Sequence, residues 1–452
     1  EATIFGREDV RWCGNEAGGT RSTEWNVIPY QANPDTMSNF ADMTDKNLGS
    51  REQLYKAKYL HYQQAETNTS IREGWFYRDD THQKVRSTDD VFDIYERAVG
   101  GNSTFLLNIP PNRDGKFSPT DVAVLKETGQ RIRETYGTDL FRQAKGPKEV
   151  LDQNADTYVT ADKDGAGIVI STPQPVTLNR LVLQEAIATN GERVERHAVD
   201  AWIDGGWKEI AHATNIGYKR ILRFPDVTTD KIRVRILESR LTPAICTISA
   251  HHYKARPPRL SAQRSMDGLV TIEPMAQEFG WKAHGENIAE NLNAGFKIYY
   301  TTDGTEPSAG STEYKAPFLM GNSELKAVAI LNGEKGAILQ ERFGLVKKGW
   351  KIADKTAQSL AIDLGSQQTV SGFAFTPQKQ GGKGTVAGII RISNDGKNWK
   401  EVERFEFGNL INDPSKRYHH FKQTVKARYV QVEAAEIAAH TEAAALAGID
   451  IF

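Results

Sequence analysis

The segment Ala2–Gly19, with the sequence ATIFGREDVRWCGNEAGG, decides how the rest of the chain is interpreted. An apolar run at residues 2–5 predicts a buried strand, and a polar loop with Trp12, Asn15 and Glu16 follows it. In α/β barrels, catalytic groups lie on the loops that follow the carboxyl ends of parallel strands. We therefore place the candidate chemistry in this loop.

The bulk composition is that of an ordinary globular protein with several domains. The 452 residues carry 57 basic and 58 acidic side chains, which argues against nucleic acid or an anionic membrane as a partner. Two cysteines, Cys13 and Cys246, form neither a disulfide framework nor a metal pattern, and no apolar run is long enough to span a bilayer. With neither an initiator Met nor a signal peptide, the start of the chain predicts a fragment that lacks its N-terminal part.

Residues 1–140 alternate between strand-like and helix-like segments, which predicts the C-terminal half of a (β/α)8-like barrel. The segments predicted as strands are Ala2–Phe5, Thr67–Ile71, Gly74–Tyr77 and Thr104–Ile109. The segments predicted as helices are Arg51–Gln64, Thr88–Val99 and Ser118–Tyr136, the last with Ser118 as N-cap and Pro119 at its first position. Half a barrel would leave two open sheet edges and should not be stable alone.

Short alternating runs replace the helical pattern after residue 140 and predict three β domains. Residues 141–256 are typical of a galactose-binding-like β-sandwich, and Arg256-Pro257-Pro258 indicates a stiff linker after it. Residues 257–344 predict a small all-β domain with a turn at Asp303-Gly304. Residues 345–452 predict a second sandwich.

Three motifs in one order resemble a known enzyme family. They are IFGREDVRWCGNEAG (4–18), ETNTSIREGWFY (66–77) and STFLLNIPPNRDGKF (103–117). Together they resemble the C-terminal half of the barrel of α-L-fucosidases of glycoside hydrolase family 29. The segment RFPDVTTDKIRVRILESR (223–240) is similar to the domain that follows that barrel.

Two further segments resemble accessory domains. YYTTDGTEPSAGSTEYKAPF (299–318) resembles the small β domain at the C-terminus of chitobiase-like enzymes. ISNDGKNWKEV (392–402) and ARYVQVEA (427–434) are similar to discoidin or coagulation-factor-type C sandwiches. For all three β domains a scaffold role is favoured over glycan binding, because a shared fold does not supply a binding site.

The resemblance implies a retaining exo-acting α-L-fucosidase in which Glu16 is the general acid/base. In the family the nucleophile is an aspartate on an earlier strand, and no residue of this chain matches it. The GNE form of the loop resembles the subgroup that prefers α-1,3/1,4-linked fucose. An acid/base must hold a proton near neutral pH, so we expect Trp12 and Trp25 to form apolar walls around Glu16. The alternative is a glutamate in a solvated loop.

Five other side chains near the predicted strand ends are candidates for the site. Trp75 resembles the family tryptophan that packs against the C5 methyl of fucose, although a core tryptophan is about as common. Arg72 either orients the site or is a surface cation. Asn15 either binds the sugar or holds the Glu16 loop in a tight turn, and for Glu66 and Asp80 the solvated interpretation is preferred.

The sequence therefore predicts an enzyme acting on a fucosylated oligosaccharide or glycoconjugate, with no catalytic metal and no cofactor. By resemblance it would be secreted or periplasmic. This chain alone, without the nucleophile, should be inactive. The alternatives are a carbohydrate-binding or adhesion protein that uses its β-sandwiches, or a glycosidase of another sugar specificity.

Overall fold

The computed structural model describes residues 4–5, 9–36, 41–72, 74–77, 85–160, 167–274, 295–376, 384–407, 416–438 and 448–452. Two compact units are present. The first comprises the described residues up to Ile71 and from Arg86 to Ala255. The second comprises those from Arg72 to Val85 and from Arg256 onward. No helix among the described residues has the length and apolar character needed to cross a membrane.

The first unit opens with alternating strands and helices. These are β1 (Val10–Trp12), β2 (Val27–Tyr30), the 3-10 helix η1 (Pro34–Thr36), α1 (Arg51–Lys56), β3 (Tyr59–Tyr62), β4 (Gln64–Ser70), α2 (Thr88–Val99), β5 (Ser103–Asn108) and α3 (Pro119–Tyr136). Strands β1, β4 and β5 form a parallel sheet with β4 in the centre, and β2 pairs antiparallel with β3. A helix follows each of β4 and β5, which is the βαβα order that the sequence predicts; the larger barrel remains a prediction.

Three of the sequence predictions in this region are wrong. Gly74–Tyr77, predicted as a strand, forms bends and irregular backbone instead. The first strand is Val10–Trp12, because Ile4 and Phe5 are 51% and 56% exposed rather than buried. The helix that starts at Arg51 ends at Lys56, because Tyr59–Tyr62 hydrogen-bond to β2 instead of continuing the helix. In the case of the helix, pairing with a partner strand outweighs local propensity.

Helix α2 matches its predicted bounds because its capping signals are local. The Ser87 hydroxyl accepts a hydrogen bond from the Asp90 backbone N–H at 3.1 Å, and Asp89 and Asp90 lie in the first turn, where the helix dipole favours negative charge. Gly100 ends the helix, and a Cβ there would lie 2.5 Å from the Ile221 Cβ. The same glycine therefore lets the helix end approach the following domain.

The first unit continues with a six-stranded antiparallel sheet. Its elements are the 3-10 helix η2 (Lys148–Val150), β6 (Val159–Thr160), β7 (Ile168–Glu185), α4 (Ile187–Asn190), β8 (Val194–Ile203), β9 (Gly206–Ala213), β10 (Arg220–Ser239) and β11 (Ala244–His251), and the strand order is β6-β11-β7-β10-β8-β9. Register shifts interrupt the β7–β10 pairing between Arg223 and Val227 and between Thr229 and Lys231, as β-bulges do. Buried aliphatic side chains from four strands form one core, including Leu178, Leu181, Val199, Val234 and Ile248.

The second unit carries two smaller sheets and one larger one. The small sheets are built from β12 (Leu260–Arg264), β13 (Leu269–Pro274), β14 (Lys297–Thr301), β15 (Thr312–Glu313), β16 (Phe318–Leu319), β17 (Ser323–Leu331), β18 (Glu334–Lys335) and β19 (Leu339–Phe343). The six-stranded sheet contains β20 (Lys351–Lys355), β21 (Ser359–Phe375), β22 (Gly384–Ser393), β23 (Lys400–Glu406), β24 (Arg417–Ala438) and β25 (Ile449–Ile451). The two small sheets share a buried apolar cluster around Leu325. The six-stranded sheet has its own cluster around Phe373.

Candidate active site

Glu16 lies at the tip of a bulge in the pairing between the first two strands of the parallel sheet. The Cys13 N–H donates to the Glu66 carbonyl at 3.1 Å, and the Gly18 N–H donates to the Asn68 carbonyl at 2.9 Å. The four residues between Cys13 and Gly18 are therefore extruded from the ladder at the carboxyl end of β1. Glu16 is exposed in this position.

Asn15 holds the bulge closed. Its Oδ1 accepts hydrogen bonds from the backbone N–H groups of Ala17 (3.1 Å) and Gly19 (3.0 Å), and its Nδ2 donates to the Gly19 carbonyl at 3.0 Å. Asn15 thus replaces backbone pairing within the loop, as Asx turns do. Of the two roles considered for Asn15, the contacts are those of the loop-holding one.

Two glycines make the shape of this loop possible. Gly14 has a φ of +99°, and a Cβ there would lie 2.2 Å from the Met43 carbonyl oxygen. Gly18 has a φ of +79° and lies against the side chains of Ile94 and Thr69. Residues with a side chain rarely adopt these backbone angles, so the GNEAG run specifies the bulge locally.

A buried cluster of charges fixes the base of the loop. The Arg21 Nη1 donates to the Cys13 carbonyl at 2.9 Å and to the Glu24 Oε1 at 2.9 Å. Glu24 has no exposed surface and also accepts a hydrogen bond from the Arg11 Nη2 at 2.5 Å. Two guanidinium groups therefore compensate one buried carboxylate, and the cluster ties the loop to β1.

The expected apolar enclosure of Glu16 is not formed by Trp25. Trp25 is only 5% exposed, and the Arg240 guanidinium lies 3.6 Å from the centre of its ring. This aromatic face is occupied by the antiparallel sheet domain and is not available as a wall for a sugar. Trp12 is partly buried and pairs in register with Glu66, and its indole N–H has no acceptor among the described residues.

Glu66 is not the solvated carboxylate that the sequence suggested. Its residue is 6% exposed, and its Oε1 accepts a hydrogen bond from the Asn68 Nδ2 at 2.8 Å. The two side chains meet because residues i and i+2 of a strand lie on one face. Glu66 lies within β4, which starts at Gln64, whereas the predicted strand starts at Thr67.

Trp75 and Arg72 belong to the second unit. Arg72 is 9% exposed, with its guanidinium 5.4 Å from the centre of the Tyr77 ring, and it pairs with Val85 in an isolated bridge. Arg72 is thus a buried cation and not a surface one. Trp75 is partly buried, and Asp80 lies outside the described residues.

Metal-binding clusters and cavities elsewhere in the described part of the chain bear on where a site could lie. No group of three or more His, Cys, Asp or Glu side chains among the described residues is placed to hold a metal ion. A hollow of about 420 Å³ in the first unit is lined by Arg51, Glu195 and residues 236–239. Glu16 is not among its lining residues.

The sequence matches three domain families. Residues 19–136 match the α-L-fucosidase family, residues 288–343 match the Fn3-associated family, and residues 320–448 match the F5/8 type C domain. The last match confirms a discoidin-like domain near the C-terminus. It begins before residue 345, so the boundary drawn there from the sequence remains a prediction, as do the other domain limits.

Several known proteins are similar to the chain. Alpha-L-fucosidase 1 of Arabidopsis thaliana is 29% identical over 260 residues, which is 52% of this chain and 48% of that protein. A crystal structure of a Bacteroides ovatus protein, provisionally described as an α-L-fucosidase, is 29% identical, with a TM-score of 0.49 over 98% of this chain and 62% of the other. A Ruminococcus gnavus family 29 fucosidase in complex with fucose is 25% identical, with a TM-score of 0.45 over 55% of this chain and 52% of the other.

These matches confirm the resemblance of the chain to the α-L-fucosidases of glycoside hydrolase family 29. The chain spans about half the length of the curated relatives that it matches.

Proposed function

We propose that this chain carries the acid/base half of a retaining α-L-fucosidase site, with Glu16 as the acid/base. The observation that supports the proposal is the position of Glu16 on a rigidly held bulge at the carboxyl end of a parallel strand. That edge of the sheet is where α/β enzymes bring catalytic side chains to the substrate. The substrate class is a glycan with terminal α-L-fucose.

The two steps of the reaction would use Glu16 in opposite senses. As an acid, Glu16 protonates the departing glycosidic oxygen while an aspartate attacks the anomeric carbon to form a covalent fucosyl-enzyme. As a base, it then takes a proton from the water that hydrolyses this intermediate, so the configuration is retained. The two carboxyl groups of such a pair lie about 5–5.5 Å apart. No residue of this chain matches the family's nucleophile.

Glu16 is exposed, so water surrounds its carboxyl group when no substrate is bound. A general acid must carry a proton when the leaving group departs, and exclusion of water favours the neutral form of a carboxyl group. A bound sugar would exclude water from Glu16 in this way. We propose that Trp12, partly buried beside the bulge, forms part of that enclosure, and that Trp75 and Arg72 contact the sugar as the family motif implies.

Kinetics of the full-length natural protein test this assignment. Wild type should release fucose both from a nitrophenyl α-L-fucoside and from an α-1,3/1,4-linked oligosaccharide. Glu16→Gln should lower kcat/KM on the oligosaccharide by about 10²–10⁴-fold, because the sugar leaving group needs the proton. The loss should be smaller on the nitrophenyl substrate, whose leaving group needs less acid assistance.

Azide separates the acid/base role from a structural one. Azide attacks the fucosyl-enzyme without base catalysis, so Glu16→Ala should form fucosyl azide and regain turnover of the nitrophenyl fucoside. Glu238→Gln, a change at another exposed glutamate of the first unit, is the matched control and should behave as wild type. Release of galactose instead of fucose would indicate another specificity, and an unchanged rate in Glu16→Gln would overturn the assignment.

A carbohydrate-binding role is a second candidate, and it is supported by the match of residues 320–448 to the F5/8 type C domain. A glycan array probed with the intact Glu16→Gln protein tests it. Binding to glycans without fucose, together with no hydrolysis by wild type, would favour a binding or adhesion protein. We also propose, from the family resemblance, that the protein acts outside the cytoplasm.

A further inference from the structure

The two ends of the Glu16 loop are each held by an arginine, partly buried at the start of the loop and buried at its end. At the start of the loop, Arg21 donates to the Cys13 carbonyl. At its end, the Arg97 Nη1 donates to the Gly18 carbonyl at 3.2 Å. Arg97 lies in the last turn of helix α2, and the residue is 6% exposed. Gly18 also packs on α2, where a Cβ would lie 3.3 Å from the Ile94 Cδ1.

Arg97 is itself held by a carboxylate that the antiparallel sheet domain shares. The Arg97 Nε donates to the Asp93 Oδ2 at 2.7 Å, and the Arg223 Nη1 of strand β10 donates to the Asp93 Oδ1, also at 2.7 Å. Asp93 thus uses both oxygens, one for a cation of its own helix and one for a cation of the neighbouring domain. Burial alone would raise the pKa of Asp93, but the guanidinium groups of Arg223 and Arg97 hold it below its ordinary value.

The same side of α2 carries a second link to the sheet domain. Glu96 and Arg180 are each 2% exposed and form a two-point pair, with the Arg180 Nε 2.6 Å from Oε1 and the Arg180 Nη2 3.1 Å from Oε2. The Tyr136 hydroxyl donates to the Glu96 Oε1 at 2.6 Å. These contacts prevent α2 from sliding along the sheet domain, so the position of Arg97 is fixed relative to β10.

We propose that Arg97 is a positioning residue for the Glu16 loop, and that the antiparallel sheet domain sets its position through Arg223 and Asp93. The catalytic consequence rests on the function proposed above. A planar guanidinium group can bond Asp93 and Gly18 in two fixed directions at once, which the point charge of a lysine cannot. The sheet domain is therefore part of the machinery that aims the acid/base, and not only a neighbour of the catalytic domain.

Amide hydrogen exchange of the full-length protein tests the positioning role without relying on activity. In Arg97→Gln, amides in the peptide covering residues 13–19 should exchange about 10–100-fold faster, because a buried hydrogen bond from a charged donor is lost. Arg223→Gln should show a smaller increase, and Arg97→Lys should fall between Arg97→Gln and wild type.

Arg131→Gln is the matched control. The Arg131 side chain in α3 is as buried as that of Arg97 and pairs with Asp89 of α2, but it makes no described contact with the loop. Its removal should lower thermal stability and leave exchange in residues 13–19 unchanged. A stability loss without a local exchange effect in Arg97→Gln would show a merely structural role and overturn the proposal.

Kinetics then test the catalytic consequence. Because a misplacement of about 1 Å costs on the order of 10²-fold, kcat on an α-L-fucoside should fall about 10–100-fold in Arg97→Gln, with KM within a factor of about two. A lower kcat with an unchanged KM separates displacement of Glu16 from a general loss of structure. If wild type releases no fucose, the proposed function fails while the exchange data still decide the positioning role. Fast exchange with unchanged kcat would refute the link to catalysis.

Discussion

Replacing Arg180 by alanine should strongly destabilise the first unit. The change leaves the Glu96 carboxylate, which is 2% exposed, without its two-point partner. Removing one member of a buried pair costs about 3–5 kcal/mol, since the other charge stays buried without compensation. Glu96 keeps the Tyr136 hydroxyl and Arg223, whose Nη1 is 3.4 Å from Oε2, so we expect the lower end, about 3 kcal/mol.

Hydrogen exchange during a urea titration measures this loss where it occurs. A single transition cannot be assumed for a chain with two compact units, so the exchange of peptides from α2 and β7 is followed separately. Arg196→Ala is the control, because its pair with Glu238 is about half exposed on both sides and should contribute less than about 1 kcal/mol. Equal losses in the two variants would refute the reasoning that burial makes the Arg180 pair different.

Two further predictions concern the loop and the response to acid. Asn15→Ala removes three hydrogen bonds that close the Glu16 bulge. The kcat on an α-L-fucoside should therefore fall about 10-fold or more, with little change in melting temperature. An unchanged kcat would show that the loop keeps its shape without these hydrogen bonds. His197 is fully buried with its Nδ1 2.8 Å from the Thr214 carbonyl, and burial, with a smaller effect of Arg220, lowers its pKa to about 3. The unfolded chain takes up this proton near pH 6.5 and below, and the folded chain does not, so stability should fall by about 2 kcal/mol between pH 6.5 and 4.5. His197→Asn should lack this part of the loss when unfolding is measured at both pH values.

Local signals predicted the helices that carry their own caps. The helix predicted over Thr88–Val99 has these bounds in the structure, where Ser87, Asp89, Asp90 and Gly100 specify its two ends from within or beside the segment. The helix predicted for Arg51–Gln64 failed because Tyr59–Tyr62 pair with a strand almost thirty residues earlier. Periodicity in a short window cannot reveal a partner at that distance, so such errors are expected where strands pair out of sequence.

The candidate site also has one feature that the sequence indicates and one that it does not. The GNEAG run indicates the bulge, because glycine suits the backbone angles at Gly14 and Gly18 and Asn15 closes the turn. Nothing in the sequence indicates that Trp25 lies under Arg240, more than two hundred residues later. An exposed aromatic wall and a buried cation–π contact use the same residue type, so composition cannot distinguish them.

By itself, the sequence determined the resemblance to α-L-fucosidases and the order of the domain motifs, because these depend on residue identity and short spacing. Only the tertiary structure decided which charges hold that loop. Arg97, Asp93 and Arg223 are ordinary surface-type residues in the sequence, and they become a positioning network because two domains bury them together. Burial converts weak, screened charges into strong, directional contacts, and burial is a property of the assembled chain.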